Sequence, residues 1–324
     1  MLAAYAARIS PDDPLSALEI GERPDPQVPD GWTRVRLRAA ALNHHDVWSL
    51  RGVGLSADRL PMILGCDGAG VTDDGREVIL HSVIASPGWS GDETLDPRRS
   101  LLSELYDGTC AEQVVLPSSN LVPKPEGMSW ATAGSLSTAW LTAYRMLFSN
   151  AGVSPGDTVL VQGAGGGVAT ALVQLGSAAG LRMWVTSRDA ERGQRAVALG
   201  ADRAFASGER LPERVSAVME SVGAATWSHS VNSLNPGGTI VICGATSGDA
   251  PARAELTKIF FKQLRVVGST MGTIGELRRL VDLVDRQGIS PVIDAELALA
   301  EARDGFARVA AGESFGKIVL TMGA

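Results

Sequence analysis

Three cysteines, Cys66, Cys110 and Cys243, are all that the 324 residues carry. They are too few and too scattered for a disulfide framework. No pair has the C-x-x-C spacing from which a structural zinc lobe takes its ligands. Basic clusters are missing as well: 29 lysines and arginines stand against 36 aspartates and glutamates, a net charge of −7, and no basic run occurs. Phosphate backbones and anionic membrane surfaces are held by clustered Lys and Arg, so the composition argues against nucleic-acid and polybasic membrane partners. No apolar run reaches the ~18 residues of a membrane span. Residues 1–10 lack the basic-then-apolar order of a signal peptide. A cytoplasmic protein in a reducing compartment is the expectation. There is no internal repeat and no low-complexity tract.

What is there is ordinary globular material, 45% hydrophobic and 20% charged, in a length that suits roughly two domains. The first third reads as β-rich. Residues 32–38 (WTRVRLR) alternate apolar and charged, the period of a half-buried strand. Residues 62–71 read as a strand broken by glycines, 77–81 and 111–116 as short strands, and 85–100 as a long surface loop rich in Pro, Gly and charge. The two prolines of 120–125 (NLVPKP) suggest a linker. Ser129 can cap a helix running to Phe148. Strands at 158–162, 182–187, 217–220, 239–243 and 264–268 then follow, with helices at 168–179 and 190–199 and an amphipathic helix at 274–286. Such alternation predicts an α/β fold, a parallel sheet with helices on both faces. The terminal strand, 317–322, resembles the first third more than the middle, so the chain is expected to return to its first domain.

The strongest local signal is 159–169, VLVQGAGGGVA, a buried strand meeting a glycine cluster that opens a helix. Glycine lets backbone N–H groups approach a pyrophosphate, and the helix N-terminus favours its charge. The candidate cofactor residues are Gly163, Ala164, Gly165, Gly166, Gly167 and Val168. The spacing departs from G-x-G-x-x-G: Val168 holds the third position after Gly163 and Gly165, or the register runs from Gly166 with Ala169 closing it. About 20 residues on, NAD enzymes place an acid on the ribose 2′-hydroxyl. Here stand Ser187 and Arg188, with Arg192 one turn later and Asp189 one residue past the expected place. Arginine pairs bidentately with a phosphate, so this strand end points to NADP(H).

Taken in order, 43–46 (NHHD), 64–70 (LGCDGAG), 120–125 (NLVPKP), 161–168 (VQGAGGGV), Gly237-Gly, 244–246 (GAT) and 316–320 (GKIVL) resemble the medium-chain dehydrogenase/reductase superfamily over essentially the whole chain. The likeness is greatest to its quinone-oxidoreductase and zinc-free alcohol-dehydrogenase-like branches. The resemblance implies a GroES-like β-barrel catalytic domain from residues 1–122 and 289–324, a Rossmann domain at 123–288, and an active site in the cleft between them. It further implies that His44 contacts cofactor phosphate, that Thr138 contacts the nicotinamide, and that Lys317 reaches the pyrophosphate. Gly244, Ala245, Thr246, Thr270 and Met271 follow strands at the edge where open α/β sheets bind ligands. Many relatives dimerise through an edge strand, for which 264–268 is the candidate.

Zinc-dependent members carry their metal on Cys, His and Cys or Asp. The matching places here hold Asn43, Cys66 and approximately Gly134, which is too little for zinc. Asp46 and Asp67 match acids that lie behind the metal in such members, and are expected to be hydrogen-bond acceptors. Asn43 is the candidate for orienting a substrate carbonyl through its amide, or else a turn residue. His45 is the candidate proton donor, or else an ordinary loop histidine. Trp48 and Trp89 are candidates for lining an apolar pocket. The Tyr-x-x-x-Lys dyad of short-chain dehydrogenases is missing at Tyr5, Tyr106 and Tyr144. A metal-free site suits acceptors that are easily reduced, so the expected function is NADPH-dependent hydride transfer to a quinone, enone or other activated carbonyl. The alternatives are a zinc-type alcohol dehydrogenase and an NADPH-binding sensor or scaffold.

Overall fold

A computed structural model describes residues 1–323. The chain forms two compact units, one from residues 1–141 and 271–324 and one from residues 142–270.

In the first unit the long strand Trp32–Ala41 is the organiser. Its alternation buries Val35 and Leu37 and exposes Arg36, as a period of two requires. It pairs antiparallel with Ala69–Thr72, Gln113–Pro117 and Lys317–Thr321. The last of these brings the C-terminal segment into the sheet begun near the N-terminus, as expected. Lys317–Thr321 also pairs parallel with Ile293–Ala298, and the helix Ala302–Ala311 makes the crossover. One core of Val35, Leu37, Leu42, Leu50, Leu64, Leu80, Leu116, Phe306, Ile318 and Leu320 fills this unit.

The second unit is a six-stranded parallel sheet. Its spatial order is Arg203–Ala206, Arg182–Ser187, Thr158–Val161, Val215–Glu220, Leu234–Ile242, Arg265–Gly268. This is the doubly wound order, with its reversal beside Thr158–Val161, the place where such sheets take ligands. All four residues of that central strand are buried, because helices cover both faces.

The units divide at Leu141/Thr142 and Thr270/Met271, not at 122/123 and 288/289. Two elements account for the difference. The segment 130–141 packs on the barrel: Ser137 Oγ donates to Leu80 O, and a Cβ on Gly134 would lie 2.8 Å from Ala39 O. The helix Ile274–Gln287 packs on that segment and on Leu121–Pro123. The single helix expected from Ser129 to Phe148 is broken. Ser129 Oγ does cap Trp130–Ala133, but π-helical turns follow at Leu136–Trp140 and Met146–Asn150. Among the described residues no helix is long and apolar enough to cross a membrane.

Candidate functional site

In the second unit the strand Thr158–Val161 runs through Gln162 into Gly163, whose φ of +90° only glycine adopts freely. The helix Gly167–Ala178 then starts, with Gly166 as its N-cap. A Cβ built on Gly166 meets no atom within 4 Å. The glycine at that position is therefore not required by protein packing. Open space stands over the first turn of a 12-residue helix, where unpaired N–H groups and the helix dipole attract an anion. This cradle fits a dinucleotide pyrophosphate.

The next strand, Arg182–Ser187, ends beside it. Asp189, the acid next to that strand end, is the N-cap of the helix Ala190–Ala198, and its Oδ1 accepts from Glu191 N at 2.8 Å and Arg192 N at 3.3 Å. One oxygen of that carboxylate is committed to the helix. Arg188 is exposed, Ser187 is half-buried with its Oγ accepting from Asp189 N at 3.1 Å, and Arg192 lies on the first turn. Further along the same sheet edge, 244–248 pairs with 221–224 through Thr246 N to Ser221 O, Ser247 N to Val222 O and Ala224 N to Gly248 O. Gly223 at φ +91° allows this approach, since a Cβ there would lie 2.5 Å from Gly248 O. Gly244, Ala245 and Thr246 thus close the carboxyl end of Leu234–Ile242, and Thr270 follows Arg265–Gly268.

In the first unit Thr138 lies in the π-helical turn, and its Oγ1 is buried without a hydrogen-bond partner. π-Turns with an orphaned donor recur at functional sites. Such a hydroxyl is left to meet a ligand group. Met271 adopts a left-handed φ of +49°. His44 is exposed and stacks edge-on against Trp48 at 5.2 Å. Trp89 is partly exposed, its indole N–H donating to Asp92 O.

The structure corrects two of the expected roles, those of Lys317 and Asn43. Lys317 is a buried residue and does not extend toward a pyrophosphate. Its Nζ donates to Leu42 O at 2.8 Å, Asn43 Oδ1 at 2.6 Å and Asp67 Oδ2 at 2.9 Å, using all three protons. Asn43 has no amide proton left for a substrate oxygen, because Nδ2 donates to Ala41 O at 3.1 Å and Asp67 Oδ2 at 2.9 Å. His45 is anchored through Nδ1, 3.2 Å from Ser49 Oγ, whereas its buried Nε2 faces Glu104 Oε1 at 3.3 Å without a hydrogen bond. Burial lowers the His45 pKa, against the opposing pull of Glu104.

The residues at the metal positions do not fit zinc. The Asn43 oxygen holds an ammonium, and Gly134 has no side chain. Cys66 is a buried thiol donating to Leu102 O, its pKa pushed far up by burial and then by Asp46. Among the described residues no group of three His, Cys, Asp or Glu is placed to hold a metal ion.

Asp46 and Asp67 are acceptors, as expected, with Asp46 Oδ2 taking Asn43 N at 2.7 Å. Burial raises the Asp46 pKa from 3.8 to about 7, although the Asn43 N–H and Lys317 oppose it. The folded state therefore holds a proton that the unfolded chain has lost. The stabilisation is complete below 3.8 and disappears as pH rises through about 7. Over that window this group contributes a fall in unfolding free energy of up to about 1.4 kcal/mol per pH unit. Asp46→Asn, which can still accept from Asn43 N, should flatten the slope. Urea unfolding of both proteins at pH 5 and pH 8 measures it, and equal slopes would count against the raised pKa.

Sequence reasoning missed Glu104, which faces His45. It also missed Glu93, whose Oε1 lies 3.0 Å from His81 Nε2 and accepts from Ile274 N. Both sit in a stretch without periodicity. It missed Gln162 and Glu220 too, though a signal existed: each is a polar residue closing an apolar strand at the ligand edge.

Comparison with known proteins matches residues 29–126 to the alcohol dehydrogenase GroES-like domain and residues 167–286 to the zinc-binding dehydrogenase family. A zinc-type alcohol dehydrogenase-like protein of Leptosphaeria maculans is 30% identical, over 88% of this chain and 89% of its own. An acryloyl-coenzyme A reductase of Metallosphaera sedula is 28% identical, over 94% of this chain and 96% of its own. The crystal structure of an NAD-dependent alcohol dehydrogenase superposes with a TM-score of 0.92 at 33% identity, covering 100% of both chains.

Proposed function

The chain belongs to the alcohol-dehydrogenase-like branch of the medium-chain dehydrogenase/reductase superfamily, and on that premise we propose that it is a zinc-independent, NADPH-dependent oxidoreductase acting on a quinone, an enone or a related activated carbonyl. The observation that carries this reading is the state of Asn43. It stands where zinc members place a metal ligand, and it is tied to Lys317, Asp67 and Ala41. With both amide protons and its oxygen engaged, this side chain acts through the barrel framework and not on the acceptor.

Dinucleotide choice rests on this chain's own residues. Asp189 is used as a helix cap, and Arg188 and Ser187 are left to meet a 2′-phosphate. The nicotinamide, when bound, supplies the hydride. The helix at Gly167 and the Gly163 turn would hold the pyrophosphate. With no Lewis acid to polarise it, the acceptor has to delocalise its own developing charge. An enone does so: hydride adds at the β-carbon, the electron pair moves to oxygen as an enolate, and water protonates the α-carbon. A saturated aldehyde has no such path.

The test is oxidation of NADPH and NADH by chelator-treated protein against a quinone, an enone, an enoyl thioester and an aldehyde. NADPH-selective turnover of a conjugated acceptor supports the reading. Turnover of the aldehyde alone, and only after zinc is restored, overturns it. Cofactor binding without turnover of any acceptor shifts the reading to a sensor.

We also infer a homodimer. Leu256, Phe260, Phe261 and Val266 are 69%, 62%, 75% and 44% exposed on or beside the edge strand Arg265–Gly268. An exposed apolar patch at an unpaired edge invites a second copy. Light scattering should give twice the monomer mass, and Phe261→Asp should shift it toward monomer; monomeric wild type would remove the inference.

A further inference from the structure

Behind the glycine turn runs a line of fully buried polar side chains that the cofactor contacts do not use. Thr186 Oγ1 accepts the Gly163 N–H at 3.2 Å and donates to Gln162 Oε1 at 2.7 Å. Gln162 Nε2 donates to Ser230 Oγ at 2.9 Å and lies 2.9 Å from His229 Nδ1. Ser230 Oγ donates to Glu220 Oε2 at 2.7 Å. Glu220 ends the line, its Oε1 accepting from Val222 N at 2.8 Å, Gly223 N at 3.0 Å and Thr226 Oγ1 at 2.9 Å. The His229 ring fits the same polarity, with Nε2 2.8 Å from Glu209 O, so that Nε2–H donates and Nδ1 accepts. Gln162, Ser230 and Glu220 are 0% exposed and Thr186 1%.

Burying four polar side chains in a sheet is costly unless each is paired, and here the donors and acceptors match in sequence. The line joins three places. At one end is Gly163, held at its positive φ. In the middle is the end of Arg182–Ser187, the strand that delivers Ser187 and Arg188. At the other end is the loop 221–226, which pairs with 244–248. The first two are assigned above to the dinucleotide, and the third supports Gly244, Ala245 and Thr246.

We propose that this line is a brace that presets the dinucleotide site, with Thr186 and Gln162 as positioning residues for the cofactor. The inference rests on the reading of the second unit as a dinucleotide site. Without the Thr186 hydroxyl, the Gly163 N–H and Gln162 Oε1 lose their partners, the turn loosens, and binding has to order it. The loss falls on the part common to both dinucleotides, and the hydride step is untouched.

The experiment titrates NADPH and NADH into wild type, Thr186→Val, Thr186→Ser and Ser230→Ala, with steady-state kinetics on the acceptor wild type reduces. Thr186→Val should weaken both dinucleotides by about tenfold, raise KM for NADPH and leave kcat and the NADPH/NADH ratio unchanged. Thr186→Ser, which restores the hydroxyl, should bind as wild type. Ser230→Ala, two links away from Gly163, should reproduce a smaller loss of the same pattern and serves if Thr186→Val does not fold. A wild type that binds neither dinucleotide refutes the cofactor reading. A wild type that binds, beside valine and alanine variants that are folded and bind equally well, overturns the brace alone. A Thr186→Ser variant as weak as Thr186→Val also overturns it.

Discussion

Arg188→Ala weakens NADPH binding by about ten- to a hundredfold and leaves NADH within about twofold of wild type. The magnitude is that of losing a charge-assisted hydrogen-bond pair, roughly 1.5–3 kcal/mol. The selectivity follows from position. Arg188 follows directly on the strand Arg182–Ser187 and is exposed, so folding does not depend on it and its guanidinium is available to a ligand. Only the 2′-phosphate distinguishes the two dinucleotides, and on the proposed reading Arg188 follows the strand whose end meets the ribose. Asp189 holds the N–H groups of Glu191 and Arg192 through Oδ1 in the variant as in the wild type, so the substitution creates no new contact to a ribose hydroxyl. The variant therefore loses NADPH affinity without gaining NADH affinity. Fluorescence titration of both dinucleotides decides it. Equal losses would assign Arg188 to the shared part of the cofactor, and no loss would leave Arg192 and Ser187 to carry the phosphate.

The dinucleotide half was legible because its signals are local. A buried strand, a glycine turn and a helix start lie within residues 158–178, and the structure puts the helix at Gly167–Ala178, one residue from its expected bounds. Strand Arg182–Ser187 falls on its expected limits. Even the doubtful point in the motif has a physical resolution. Gly163 is the turn residue, at φ +90°, and Gly166 is the N-cap beneath open space. The barrel half was legible as strands but not as chemistry. Asn43 and Lys317 are 274 positions apart, so nothing local reveals that one consumes the other. Lys317 was assigned by likeness to a cofactor contact, whereas Asp67 supplies the partner that makes its burial tolerable. His45 stays open between two readings, and the residue that faces its Nε2, Glu104, comes from a loop with no periodic signal. Long-range pairing of polar side chains is what single-sequence patterns carry least.

Gly166→Val abolishes measurable binding of both dinucleotides while the protein stays folded, and Gly166→Ala gives an intermediate loss. Most glycine substitutions disturb folding, either through a positive φ or through a clash. Gly166 has neither liability. Its φ is −73° and ψ 161°, which β-branched residues adopt without strain, and a Cβ there meets no protein atom within 4 Å. Replacing glycine at a compatible site restricts the unfolded chain and stabilises by about 0.4–1 kcal/mol, while glycine is a better N-cap than alanine or valine. The two effects oppose, so the melting temperature should move by only a few degrees either way. The vacant space is then what the added methyls occupy. A pyrophosphate bound through the N–H groups of the first helical turn needs the backbone at van der Waals distance. One methyl holds it off, and the branched side chain covers the donors. Both dinucleotides share that pyrophosphate, so both are lost together, in contrast to the selective effect at Arg188. Calorimetry with a thermal melt on each variant separates the cases. Wild-type affinity in a folded Gly166→Val protein would remove this helix from the phosphate site.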